Sequence, residues 1–175
     1  MVTLETVLNV IPVVSLVIVG AYYSLQIRNQ NRTRTIQLLM QLSQTRTVEY
    51  TKIALELLNM EWEDYDDFER KYGSDVDPDN YGKRMSSLYR FNTMGLLLMK
   101  GHIDADTIFN LESGNAPLYH WTKFESVIKE QRRRYKIPNW CNGFEYLANE
   151  SKKYLERQGF SSEIPETFLQ YVPED

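Results

Sequence analysis

Apolar positions along this chain follow two patterns, and the change between them falls near residue 28. Residues 6–27, TVLNVIPVVSLVIVGAYYSLQI, hold no Asp, Glu, Lys, Arg or His. At about 1.5 Å per residue this run gives roughly 33 Å of helix, enough to cross a hydrocarbon core about 30 Å thick. Pro12 lies in its first half, where a membrane helix tolerates proline, and it suggests a bend. Tyr22 and Tyr23 at the far end suit an aromatic belt. A cleaved secretory signal would need a basic leader and a small-residue cleavage site, which this stretch lacks, so an uncleaved anchor is expected.

From residue 28 onward the period is helical. Ile36, Leu39, Met40, Ser43, Thr47, Tyr50, Ile53, Ala54, Leu57 and Leu58 recur at spacings of three and four, with no Pro or Gly between Ala21 and Leu58. The span is predicted to run on as one continuous rod, with a short break around residues 29–31 as the alternative, and the rod's buried face carries Leu39, Ile53 and Leu57. Residues 61–70, EWEDYDDFER, interleave six acids with Trp62, Tyr65 and Phe68, which reads as a short helix with a solvated acidic face. Asp77 then serves as N-cap, with Pro78 at N1 and Asp79 in the first turn, for a helix that stops at Lys100 and Gly101. Asp104, flanked by Ile103 and Ile108 as a hydrophobic staple, starts another helix. A further helix is expected over residues 117–135, with Trp121 and Phe124 facing the core. Pro138 stops it, and a last helix with Trp140, Phe144, Leu147 and Leu155 ends at Gly159. The tail, residues 161–175, keeps Ile164, Phe168, Leu169, Tyr171 and Val172, so it packs on the bundle or binds a partner.

The pattern predicts an all-α protein: a single transmembrane helix (residues 1–27) continuing into a helical bundle (residues 28–160) and a tail. Charge sets the orientation. Arg28, Arg32 and Arg34 follow the span with no acid before Glu49, while the N-terminal side offers Glu5 and no base. Lys and Arg excess marks the cytoplasmic side, which places the N-terminus outside, the bundle in the cytoplasm and the three arginines at the lipid headgroups. Two glycosylation-type triplets, at Asn31 and Asn149, would matter only in the reverse orientation. Residues 28–175 carry all 20 Lys and Arg against all but one of the 24 acids, a balance that points away from nucleic acid. Cys141 is the single cysteine, as fits a reducing compartment.

Candidate chemistry is sparse. Asp75, Asp77 and Asp79 copy the start of a calcium loop, but Asn80 stands where glycine is needed and Ser86 where a bidentate Glu is needed. The staple corner at residues 103–108 resembles a helix-turn-helix, yet its second helix is short and its flanks are acidic or apolar. His102, His120 and Cys141 are isolated in sequence, with no ligand spacing, and His120 reads as a half-buried neighbour of Trp121. The four bases Arg132, Arg133, Arg134 and Lys136 close a helix, where cations oppose the dipole favourably. They could also contact headgroups, a partner or the acidic segment at residues 61–69. No catalytic residue, metal or cofactor is expected.

The run RNQNRTRTIQLLMQL after a single span, then FNTMGLLLMKGHIDADTIF, W-x-x-F-x-x-x-I-x-x-x-R and FEYLA, resembles a family of uncharacterised one-span proteins of archaea and bacteria catalogued as a domain of unknown function. The similarity runs from the span to about Leu155. It implies a membrane anchor with a small all-helical cytosolic domain and carries no assigned activity. The expected role is therefore a membrane-anchored interaction module, a subunit or accessory factor that contacts membrane lipid and other subunits or a second copy. The alternative is a small-ligand sensor or enzyme with a site inside the bundle.

Overall fold

The computed structural model describes residues 4–44, 47–111, 114–165 and Phe168, with the side chains of residues 4–12, Arg32, Leu39, Leu42 and Ser43 outside that description. Among the described residues the protein has seven helices and no strand. It divides into two compact units, residues 1–45 and residues 46–175.

The first unit is α1, Leu4–Gln44. Its large apolar side chains between Val13 and Ile27 are 47% to 74% exposed. The Ser24 hydroxyl in this run donates to the Gly20 carbonyl at 2.8 Å, so that polar group is satisfied within its own helix. Among the described residues no helix is long and apolar enough to cross a membrane. Residues 13–27 account for about 22 Å of helix, against about 30 Å of hydrocarbon. This falls short of the span expected over residues 6–27, whose first seven side chains lie outside the described ones.

The rod predicted to run from the apolar span to Leu58 continues unbroken through residues 29–31 but is two helices. α1 ends at Gln44, and α2, Val48–Leu58, begins afresh behind Thr47. Thr47 is extended (φ −100°, ψ 167°), and its hydroxyl accepts the Tyr50 N–H at 3.1 Å. A side-chain oxygen that satisfies the N–H three residues on makes a helix start of what apolar spacing alone reads as continuity. Leu57 is fully buried and Ile53 half-buried, as predicted for this face, while the Leu39 side chain lies outside the described residues.

The second unit packs α2 with α3 (Tyr65–Tyr72), α4 (Pro78–Met99), α5 (Ala105–Leu111), α6 (Ala116–Tyr135) and α7 (Asn142–Gln158). The Asp77 carboxylate accepts the Asn80 N–H at 3.0 Å with Pro78 behind it, and Asp104 accepts the Thr107 N–H at 2.8 Å. Ile103 and Ile108 are both buried, as a staple requires. Gly101, at φ +67°, turns the chain after α4 in a conformation that costs glycine little.

α4 and α7 form the main pair. A Cβ on Gly95 would overlap the Gly143 backbone, so both residues must be glycine for the helices to approach this closely. The Phe144 N–H donates to Asn92 Oδ1 at 3.2 Å beside this crossing, and the Phe91 and Phe144 rings stack at 5.1 Å. Trp121 meets Phe144 edge-on at 5.2 Å, and Trp62 stacks on Phe124 at 5.6 Å. Trp140, expected within the last helix, sits in the turn before it.

The acidic helix starts later than predicted, because two carboxylates are spent on its first turn. Asp64 accepts the Asp67 N–H at 2.8 Å, and Asp67 reaches back to the Glu63 N–H at 3.0 Å. Asp67 is thereby buried, where a fully solvated acidic face was expected.

Candidate functional site

The arginines at the basic end of α6 are engaged in ion pairs within the chain. Arg132, its side chain 15% exposed, donates to Glu145 on α7 and to the Trp140 carbonyl, both at 2.7 Å. Arg133 forks onto Glu130 at 2.6 and 2.8 Å. Arg134 bonds Glu130 and, across to α3, Asp66, both at 2.7 Å, while its guanidinium lies 4.3 Å over the Tyr65 ring. The two guanidiniums, Arg133 first, hold the Glu130 carboxyl down to about 2. Of the expected headgroup or partner contacts, Arg133, Arg134 and Lys136 are exposed and Arg132 is half-buried. Lys136 adopts the left-handed conformation (φ 57°) that ends α6. The contact between basic end and acidic segment is present as Arg134–Asp66.

Arg28 and Arg34 are exposed on α1, following the apolar run, and the Arg32 side chain lies outside the described residues. Nothing in the first unit competes for them with an ion pair among the described residues.

A groove of about 190 Å³ lies between α2 and α6. Tyr50, Thr51, Ala54, Leu55 and Leu58 form one wall, Asn115, Ala116, Tyr119 and His120 the other, and Phe168 from the tail lies against it. His120 is buried, deeper than its sequence neighbours suggested. Its Nδ1 stands 2.9 Å from the Ala116 carbonyl, which can accept but not donate, so Nδ1 carries the proton. Its ring lies 5.1 Å from that of Phe91. Sequence reasoning passed over Thr51, Asn115 and Tyr119. A usable signal was the run Leu118, Tyr119, His120, Trp121: four successive large residues at a helix start cannot share one face, so they call for cover on several sides.

Other singled-out residues have structural roles. The Asp77 carboxylate, second in the calcium-like triplet, is engaged in capping α4. Among the described residues no group of three His, Cys, Asp or Glu could hold a metal ion. Cys141 is buried, and burial pushes its thiol up to about 11, so it stays protonated at neutral pH. Arg84, unremarked in the sequence, is 3% exposed. It donates to the Tyr72 carbonyl at 2.5 Å and lies 4.3 Å over the Phe68 ring, and burial lowers its pKa.

The family described as domain of unknown function DUF4760 matches residues 10–151, and the chain belongs to it. No curated protein and no solved structure matches the chain.

Proposed function

We propose that this member of the DUF4760 family is a helical interaction module held at a membrane by its N-terminal helix, serving as a subunit or accessory factor of a larger assembly. The observation that carries the proposal is the exposed apolar length of α1. Ten large side chains from Val13 to Ile27, each at least 47% exposed, precede exposed Arg28 and Arg34. So long an uncovered apolar stretch marks a surface that lipid or a partner covers. Residues 6–12 add no charge to the run, which brings it to membrane length. The basic flank places Arg28, Arg32 and Arg34 at the headgroups and the bundle on the cytoplasmic side, with the N-terminus outside. Membrane lipid and other subunits or a second copy are its partners.

Alkaline carbonate extraction of membranes from cells making the full chain tests the anchor. The wild type is expected in the pellet and a Val17→Glu, Ile18→Glu variant in the supernatant. Wild-type protein in the supernatant overturns the anchor. Blue-native electrophoresis of gently solubilised membranes tests the assembly, and migration at the 20.7 kDa monomer mass counts against it.

A further inference from the structure

The α2–α6 groove lies wholly within residues 46–175, so an inference from it is independent of how the chain meets a membrane. Its open volume, about 190 Å³ with Phe168 in place as one of the lining residues, is below the roughly 300–1,000 Å³ of pockets that hold small-molecule ligands. Its walls suit a single aromatic side chain. Tyr50 and Tyr119 supply ring surfaces, Ala54 and Ala116 leave room between the helices, and Leu55 and Leu58 supply an apolar lining.

One aromatic side chain already lies there. Phe168 sits 6.1 Å from the Tyr119 ring, centroid to centroid. The backbone holds it from two sides. The Asn59 side-chain amide, at the end of α2, donates to the Phe168 carbonyl at 2.8 Å. The same amide donates to the Leu55 carbonyl at 2.8 Å, which fixes its orientation. The Phe168 N–H donates to the Pro165 carbonyl at 3.0 Å, which fixes the backbone that presents the ring. Yet Phe168 remains 38% exposed, so the contact is partial and open to exchange.

We propose that the α2–α6 groove is a docking site for an aromatic side chain carried on a turn, that Phe168 of the chain's own C-terminal segment is its resident occupant, and that a partner segment of the same chemistry enters by displacing it. Asn59 is the group that reads the backbone of whichever segment is bound. Tethering gives Phe168 an effective concentration on the order of millimolar, so a competitor must bind better than that to displace it.

The test uses the full chain in detergent micelles and a fluorescein-labelled peptide of residues 164–175, IPETFLQYVPED, read by fluorescence polarisation. The Phe168→Ala chain, whose groove loses the ring that lines it, should bind this peptide about tenfold or more tighter than the wild-type chain does. A peptide carrying the same Phe168→Ala change should bind neither chain. Adding Ala54→Trp to the Phe168→Ala chain fills the groove and should abolish peptide binding while the helical circular dichroism is retained. Fluorine NMR of a wild-type chain with para-fluorophenylalanine at position 168 gives a readout that needs no core substitution, since excess peptide should shift that signal to its solvent-exposed position. Equal affinity of the peptide for the two chains overturns the proposal, as does equal binding of the two peptides or an unmoved fluorine signal. Uptake of a small apolar dye by the Phe168→Ala chain without peptide binding would make the groove a small-molecule pocket and overturn it as well.

Discussion

Leu16 in α1 and Leu57 in α2 are the same side chain in the same secondary structure, yet Leu16 is 74% exposed and Leu57 is 0% exposed. The difference lies in what surrounds each on its helix. Leu57 sits on a helix with a polar opposite face, and α4 and α6 cover its apolar one. Leu16 sits where residues 13–27 are apolar all round, an arrangement that one neighbouring helix cannot cover. The bundle therefore supplies its own interior, while the apolar run of α1 stands exposed. The two kinds of residue should respond to substitution in opposite ways.

The sharpest test of that contrast is truncation. Phe144→Ala removes a ring held between Phe91 and Trp121 and should cost about 3 to 5 kcal/mol, whereas Leu16→Ala should stay within about 0.5 kcal/mol. Thermal unfolding of the full chain in micelles, followed by circular dichroism, reads both. Comparable losses from the two changes would mean that α1 shares a core with the bundle.

A second test uses acid. Asp67 is held down to about 2, first by Lys71, then by the Glu63 N–H and Arg70, and Glu130 is held equally low by Arg133 and Arg134. The unfolded chain takes up these protons near pH 4 and the folded one near pH 2, so the unfolded state binds more protons in between. The stability from both groups is present above about pH 4 and is lost as pH falls towards 2. Melting curves across that window should show a falling midpoint in the wild type and a flatter profile in Asp67→Asn. Leu16→Ala should leave the profile unchanged, since the apolar run of α1 carries no carboxylate. An identical slope in wild type and Asp67→Asn would remove Asp67 from the account.

The smallest effect belongs to the surface link between α3 and α6. Arg134 and Asp66 have side chains 39% and 75% exposed. A double-mutant cycle with Arg134→Ala and Asp66→Ala should give a coupling of about 0 to 1 kcal/mol that shrinks with added salt. Arg132→Ala should cost more than Arg134→Ala, because Arg132 is half-buried and leaves Glu145 and the Trp140 carbonyl without their donor. The reverse order would show that the exposed link, not the inner one, holds the end of α6.

Helix starts and stops were legible in this sequence because each is decided within three or four residues. The Asp77–Asn80 cap, the Asp104–Thr107 cap with its staple and the turn at Gly101 all follow from local hydrogen bonding and backbone conformation, and all stand where the residues place them. Thr47 was legible by the same rule and was overridden by apolar spacing, which reports a buried face but not whether the helix is continuous. The all-helical class, the buried face at Leu57 and the core roles of Trp121, Phe124 and Phe144 also follow from period alone. Tertiary structure decided what meets what. Arg134 finds Asp66 across 68 positions, and Asn59 finds Phe168 across 109. Asp67 loses its solvent because α3 turns that carboxylate back on the helix start. Such pairings depend on the rotation and crossing of packed helices, set here by the close approach of Gly95 to Gly143. Periodicity fixes which face of a helix is buried, but the depth and angle at which two faces meet come from the shapes of side chains far apart in sequence, and the α2–α6 groove exists at that level alone.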